Sequence, residues 1–255
     1  MKTTITAVIY TFNEEENIEA AIKSAANLSK KIIVIDMESD DKTVEIAKDL
    51  GVDTFNIKRS NYVEPARQFG IELVNTPWVF VLDADERISP ELVREIREKI
   101  DNNKYTYYAI PRKNIFGGIK WLRHGGWWPD SQIRLIKKEF FKSWPCEIHS
   151  TPIISGRLGT LNSPILHYFH PSLENMVKKT IIFEQIESDL LYKGEKKVSV
   201  ITFFRKFIGE LYRRLLKQLG LKDGVIGIIE SLYQAFSKSI TYIFLYEKKR
   251  QSRSV

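Results

Sequence analysis

Two periods of hydrophobic residues alternate over the first hundred positions of the chain. Residues 4–10 are β-branched and apolar almost without break, and residues 31–36, 52–57 and 78–83 repeat the pattern. Short apolar runs bounded by polar residues predict strands buried on both faces. Between them the spacing lengthens. Ile18, Ala21, Ile22 and Ala25 recur at helical steps, and further helices are predicted over 41–50, closed by Gly51, over 65–74 and over 90–100. Ser89 offers an N-cap with Pro90 at the first helical position, and Asn13 with Glu16 suits a capping box for the first helix. Strands alternating with helices predict an α/β fold with a mostly parallel, doubly wound sheet.

The pattern changes near residue 104. Residues 105–110 and 132–137 read as strands, but they flank a stretch from Gly117 to Asp130 with too much glycine, tryptophan and proline for a regular element. It reads as a substrate loop. Beyond residue 200, Phe203, Phe204, Phe207, Ile208, Leu211 and Leu215 share a wide helical face, with Arg205, Lys206, Arg213, Arg214 and Lys217 on the other. Residues 225–246 continue the apolar set, interrupted at steps of four by Glu230, Gln234 and Lys238, which argues against a membrane-spanning helix.

Composition adds two constraints. A single cysteine, Cys146, excludes an internal disulfide and a cysteine-based zinc cluster, and the apolar stretch at residues 5–10 is too short for a signal peptide. The net charge of +7 is unevenly placed: residues 193–255 hold 14 Lys/Arg against 5 Asp/Glu, a net of +9, and the remainder carries −2. Such asymmetry suggests an anionic partner, either nucleic acid or lipid headgroups. Aromatic residues in the tail stand among aliphatics rather than beside the basic residues, which disfavours nucleic acid. A basic amphipathic pair suits a membrane interface, and packing of these helices on the sheet domain is the alternative.

The run from Trp78 to Glu86 carries five apolar residues straight into three carboxylates. Asp83 and Asp85 can face one way along extended backbone, and two like charges so close call for a cation or a raised pKa. Mg²⁺ or Mn²⁺ would keep free positions for a substrate's phosphates; an acidic helix start is the other reading. The first two strands end in Thr11-Phe12-Asn13-Glu14-Glu15 and Asp36-Met37-Glu38-Ser39-Asp40-Asp41. In a doubly wound sheet these ends share one crevice with Asp83. Asp36, at a strand end, could accept from a base or ribose and Thr11 could offer its backbone and hydroxyl, whereas Asn13, Asp40 and Asp41 suit helix capping. There is no glycine-rich phosphate loop, so a diphosphate would fall to a metal and to side chains such as Arg67.

The order Thr-Phe-Asn-Glu-Glu, Ile-Asp-x-x-Ser-x-Asp-x-Thr, Ala-Arg-Gln-Phe-Gly and Leu-Asp-Ala-Asp-Glu resembles family 2 glycosyltransferases of the GT-A fold. The segment from Gly125 to Leu135 is similar to the branch that includes lipopolysaccharide core β-glucosyltransferases. The resemblance covers roughly the first 170 residues and implies a GT-A domain over 1–170, with nucleotide-sugar binding at 1–103 and an acceptor part at 104–170. Residues 171–255 are then a basic amphipathic helical region at a membrane. It implies that Asp85 is the direct metal ligand of an Asp-x-Asp motif, with Asp83 nearer the donor ribose or sugar and also toward the metal. Asp36 would recognise uracil, with Thr11, Asn13 and Glu14 beside the nucleotide and Arg67 along the sugar-phosphate path. Many relatives have Asp-Asp-Gly-Ser where this chain has Asp36-Met37-Glu38-Ser39.

Inverting transfer needs a base for the acceptor hydroxyl. Asp130 is expected to be that base, Trp127 and Trp128 to stack on the acceptor, and Gln132 and Arg134 to contact acceptor and diphosphate. His149 resembles part of a Val-His-Glu element and could hold metal or diphosphate, or be a hydrogen-bonded structural histidine; His167 and His170 read as structural, and His124 could line the acceptor loop. The activity implied is metal-dependent transfer from a nucleotide sugar, a UDP-hexose, to a glycan or lipid-linked acceptor in envelope polysaccharide or lipopolysaccharide synthesis. Its expected place is the cytoplasmic face of the membrane, with no nucleic-acid partner. A nucleotidyltransferase, which also needs paired carboxylates but wants a basic glycine-rich loop, and a basic nucleic-acid-binding protein are the competing classes.

Overall fold

The computed structural model describes residues 4–60, 62–101, 104–169 and 173–252 of the 255-residue chain. In chain order the elements are β1 (Ile5–Thr11), α1 (Ile18–Ala26), β2 (Lys31–Asp36), α2 (Thr43–Asp49), β3 (Asp53–Asn56), α3 (Glu64–Glu72), β4 (Trp78–Asp83), β5 (Glu86–Ile88) and α4 (Pro90–Lys99). There follow β6 (Tyr107–Phe116), β7 (Lys120–Trp121), β8 (Asp130–Lys137), β9 (Phe141–Ser143), β10 (Ile153–Ile154), β11 (Leu158–Thr160) and β12 (Ile165–Phe169), then α5 (Leu173–Lys193), α6 (Val200–Tyr212) and α7 (Gly224–Gln251). Two compact units result. Unit 1 holds residues 1–113 and 130–167, and unit 2 holds residues 114–129 and 168–255. The glycine- and tryptophan-rich segment thus groups with the C-terminal helices, although the sequence places it in an acceptor part with residues 104–170.

The sheet runs in the order β3-β2-β1-β4-β8-β6-β12-β5. Its first four strands are parallel; β8 then pairs antiparallel with β4 and β6, and β12 pairs antiparallel with β5. This mixed α/β sheet with a parallel half is the GT-A architecture, and the C-terminal region is helical. Side chains of β1 and β4 alternate between two apolar cores: Ala7, Ile9, Phe80 and Leu82 pack with α1 and α4 on one face, Val8, Tyr10, Val79 and Val81 with α3 on the other. Each of the Val, Ile, Leu and Phe side chains contributes about 1.5–3 kcal/mol on burial. Coverage of both faces is why these strands are continuously apolar.

Local signals mostly act where the sequence places them. Ser89 caps α4 by accepting from the Leu92 N–H at 3.2 Å. The capping box is a correction: α1 starts at Ile18 with Asn17 at its N-cap, and Asn13, at φ 51°, instead bridges two turns. Its backbone N–H donates to Ser39 Oγ at 2.8 Å and its amide exchanges hydrogen bonds with Asp40. The long-range pairing outweighs the local cap because its three hydrogen bonds satisfy six polar groups at once. Asp41 does serve locally, accepting from Thr43 N–H just before α2.

Candidate active site

Parallel register brings three strand ends together in unit 1, since Thr11 is paired with Asp36 and Tyr10 with Asp83. The turns after β1 and β2 are stitched to each other: Glu14 N–H donates to Thr43 Oγ1 at 2.8 Å, Glu15 N–H to Asp41 and Lys42 N–H to Glu15. Asp36 is 1% exposed and accepts from Ser39 through both oxygens, at 2.8 Å from the N–H and 2.6 Å from the hydroxyl. It therefore holds its own turn. Glu38 adopts φ 58° there, a left-handed conformation that favours glycine, and its carboxylate accepts from Arg59 N–H. Thr11 Oγ1 is buried with no hydrogen-bond partner among the described residues.

A chain of charges crosses this crevice. Arg67 Nη2 donates to both oxygens of Asp83 at 2.9 and 3.0 Å, and Arg134 Nη2 donates to Asp83 Oδ2 at 2.7 Å and to Glu86 Oε1 at 2.6 Å. Glu86, fully buried, also accepts from the Asp83 N–H, and Arg112 lies 3.6 Å from it. Arg112 then donates to Asp130 Oδ2 from Nε at 2.9 Å and Nη2 at 2.6 Å, while Gln132 donates to Asp130 Oδ1 at 2.8 Å. Three guanidiniums thus face three carboxylates. Burial alone would raise the Asp83 carboxyl, but Arg134 and Arg67 overcome it and hold Asp83 well below the usual carboxylate range. Burial works against the Arg134 charge too, yet Asp83 and Glu86 hold it above its ordinary value.

The placement of Arg67 follows from packing. Pro65 stands in the first turn of α3, and Gly70 lets the helix touch β1, where a Cβ would meet the Tyr10 hydroxyl at 2.5 Å. That hydroxyl donates to the Arg67 carbonyl, and the guanidinium lies over the Tyr10 and Trp144 rings at 5.4 and 4.9 Å. Arg67 Nη1 and Arg134 Nε are buried without partners among the described residues, an N–H surplus suited to anionic oxygens.

Among the described residues, Asp85 and His167 are a pair that could help to hold a cation. Asp85 Oδ2 lies 3.4 Å from His167 Nε2, because β12 pairs with β5 so that His167 stands opposite Glu86. Two such ligands and a substrate's phosphates suit Mg²⁺ or Mn²⁺. Asp83 is engaged by guanidiniums, and among the described residues no three His, Cys, Asp or Glu gather as a metal cluster. His149 sits elsewhere in the chain's course, at φ 60°, with its N–H on Glu64 Oε1 at 2.8 Å. His170 lies outside the described residues.

In unit 2, Trp127 packs on Phe169 with ring centroids 4.8 Å apart and carries Arg214 over its face at 5.5 Å, while Trp128 meets Trp121 edge-on. His124 Nδ1 lies 2.9 Å from Asp223 Oδ1, and Asp223 Oδ2 accepts from the Arg123 and His124 N–H groups.

The model of one family, described as glycosyl transferase family 2, matches residues 6–156, more than half of the chain. The chain belongs to glycosyl transferase family 2. It is a glycosyltransferase, which decides against the nucleotidyltransferase that paired carboxylates would also suit. An uncharacterized glycosyltransferase of Rickettsia typhi is 30% identical over 265 residues, spanning 98% of this chain and 89% of its own. The lipopolysaccharide core biosynthesis glycosyltransferase LpsC of Rhizobium meliloti is 23% identical over 263 residues, spanning 97% and 93%. Among solved structures, S. aureus TarS 1–349 in complex with UDP-GlcNAc shares the fold with a TM-score of 0.53 at 13% identity, covering 98% of this chain and 92% of that one.

Three polar residues of this glycosyltransferase escaped sequence reasoning as site members. Glu86 was visible only as the third carboxylate of its run. Arg112 lies within β6 and reaches Asp130 through the register that sets the two opposite each other. His167, which the sequence reads as structural, belongs to a strand far along the chain from Asp85, and its place beside that residue follows from the pairing of β12 with β5.

Proposed function

We propose that the enzyme catalyses inverting transfer of a hexose from a UDP-sugar to a glycan or lipid-linked acceptor in the synthesis of envelope polysaccharide or lipopolysaccharide, at the cytoplasmic face of the membrane. The observation that carries this reading is the charge chain linking Asp83 at the donor end to Asp130 at the acceptor end of one crevice. The acceptor oxygen attacks the anomeric carbon, the bond from that carbon to the diphosphate oxygen breaks, and the acceptor proton passes to Asp130. Arg112 and Gln132 orient that carboxylate. The unpartnered Arg67 Nη1 and Arg134 Nε supply donors for diphosphate oxygens, and the buried Thr11 hydroxyl and the Asp36 turn suit the nucleoside.

Three guanidiniums already balanced by three carboxylates leave little net charge for a diphosphate, so a divalent cation at Asp85 and His167 suits the site. When bound, it supplies Lewis-acid stabilisation of the charge gathering on the leaving diphosphate. Support for the acceptor class comes from the name of the LpsC relative, and for the donor class from the UDP-GlcNAc complex of TarS. A nucleotide-release assay across UDP-, GDP- and dTDP-sugars, with and without Mn²⁺, tests the reading. Release from UDP-hexoses that depends on Mn²⁺ is expected; preference for another nucleotide, or indifference to the cation, would contradict it.

A further inference from the structure

Among the described residues no helix is long and apolar enough to cross a membrane, yet α7 distributes its residues as a lipid-facing helix does. Its buried positions include Glu230, Ser231, Ser237, Ser239 and Thr241. The four hydroxyls are satisfied inside unit 2: Ser237 and Thr241 donate to Glu184 of α5, and Ser231 and Ser239 to carbonyls one turn back. Every exposed position from Val225 to Tyr246 is apolar: Val225, Ile229, Leu232, Phe236, Ile243 and Tyr246, each between 44% and 72% exposed. Steps of four, three, four, seven and three place them on one helical face. Neighbouring α6 buries no residue and leaves Ile201, Phe204, Ile208 and Tyr212 between 56% and 79% exposed.

We infer that these exposed rows of α6 and α7 are the surface by which the protein lies on an anionic lipid bilayer. Apolar rows of this size facing water mark an interaction surface. Charge selects the occupant. Lys222 precedes the α7 row, Lys249 and Arg250 end it beyond Glu247 and the Lys248 that Asp189 holds, and exposed Arg205 and Lys217 stand in and after α6. The one acid of α6, Glu210, is held by Arg213 and Arg214. A second copy would bring two segments of net +9 together, whereas anionic headgroups complement both the charge and the apolar rows. Phe204, Tyr212, Phe236 and Tyr246 provide aromatic anchors at the interface. The inference deepens the membrane part of the function proposed above, and it rests on unit 2 alone, so donor binding and membrane binding fail separately.

Co-sedimentation with vesicles of phosphatidylcholine mixed with phosphatidylglycerol tests it, with phosphatidylcholine alone as the comparison. The wild-type chain is expected to bind the mixed vesicles at low salt and the neutral ones roughly tenfold more weakly. Ile229→Glu with Phe236→Glu should lower binding to both by at least about tenfold, with circular dichroism and UDP affinity unchanged because both side chains are exposed. Arg205→Glu with Lys217→Glu should lower binding to the mixed vesicles only. The inference is overturned if the wild type ignores mixed vesicles, if the Ile229/Phe236 variant binds like the wild type, or if sedimentation velocity shows a dimer that this variant splits.

Discussion

In unit 1, β4 is buried and apolar from Trp78 to Leu82 and turns polar only at Asp83, where the sheet opens. In unit 2, α7 buries Glu230 and four serine or threonine residues and turns Val225, Ile229 and Phe236 outward. The difference teaches where each unit keeps its chemistry. A strand inside a parallel sheet has both faces covered, so charge is admitted only at its end, and the ends of β1, β2 and β4 become one crevice. A helix packed between α5 and α6 can bury polar groups when a neighbour such as Glu184 satisfies them, and its apolar face is then left for a partner.

The comparison breaks hardest at the buried charges. Arg134→Met would leave Asp83 and Glu86 facing each other without their shared cation, and removing one partner of a buried pair costs about 3–5 kcal/mol; a denaturant melt checks this. Asp130→Asn should lower transfer by roughly 10²–10⁴-fold with little change in stability, since Asp130 is partly exposed; steady-state turnover is the readout. In unit 2, burial pushes the Glu230 carboxyl up to about 7. The folded chain then holds a proton that the unfolded chain releases from about pH 4.5 upward. The contribution of Glu230 to stability should therefore be greatest below about pH 4.5, fall by about 3 kcal/mol as pH rises toward 7, and level off above it. Glu230→Gln should flatten this dependence in melts followed across pH. The smallest effect is expected at Ser89→Ala, about 1 kcal/mol for the lost α4 cap, read in the same melts.

Much of unit 1 was legible because its signals are local. The run at 31–36 is β2 to the residue, and Ser89-Pro90 marks the start of α4. Other features depend on pairings between distant segments: Arg112 with Asp130 across β6 and β8, His167 beside Asp85 across β12 and β5, and Asn13 with the turn after β2. Helical periodicity located α6 and α7 and grouped their apolar positions, but the face turned inward depends on α5. The stripe of Glu230, Gln234 and Lys238 turns toward the packed side, where Lys238 lies 3.8 Å from Glu187.

The proposed function requires a donor crevice in unit 1 and a cation at Asp85. Calorimetric titration of UDP into the wild type and Asp85→Ala, each with and without Mn²⁺, tests it most directly. Mn²⁺ should tighten UDP binding to the wild type by at least roughly tenfold and have no effect on the variant. Equal UDP affinity in all four titrations would contradict the account.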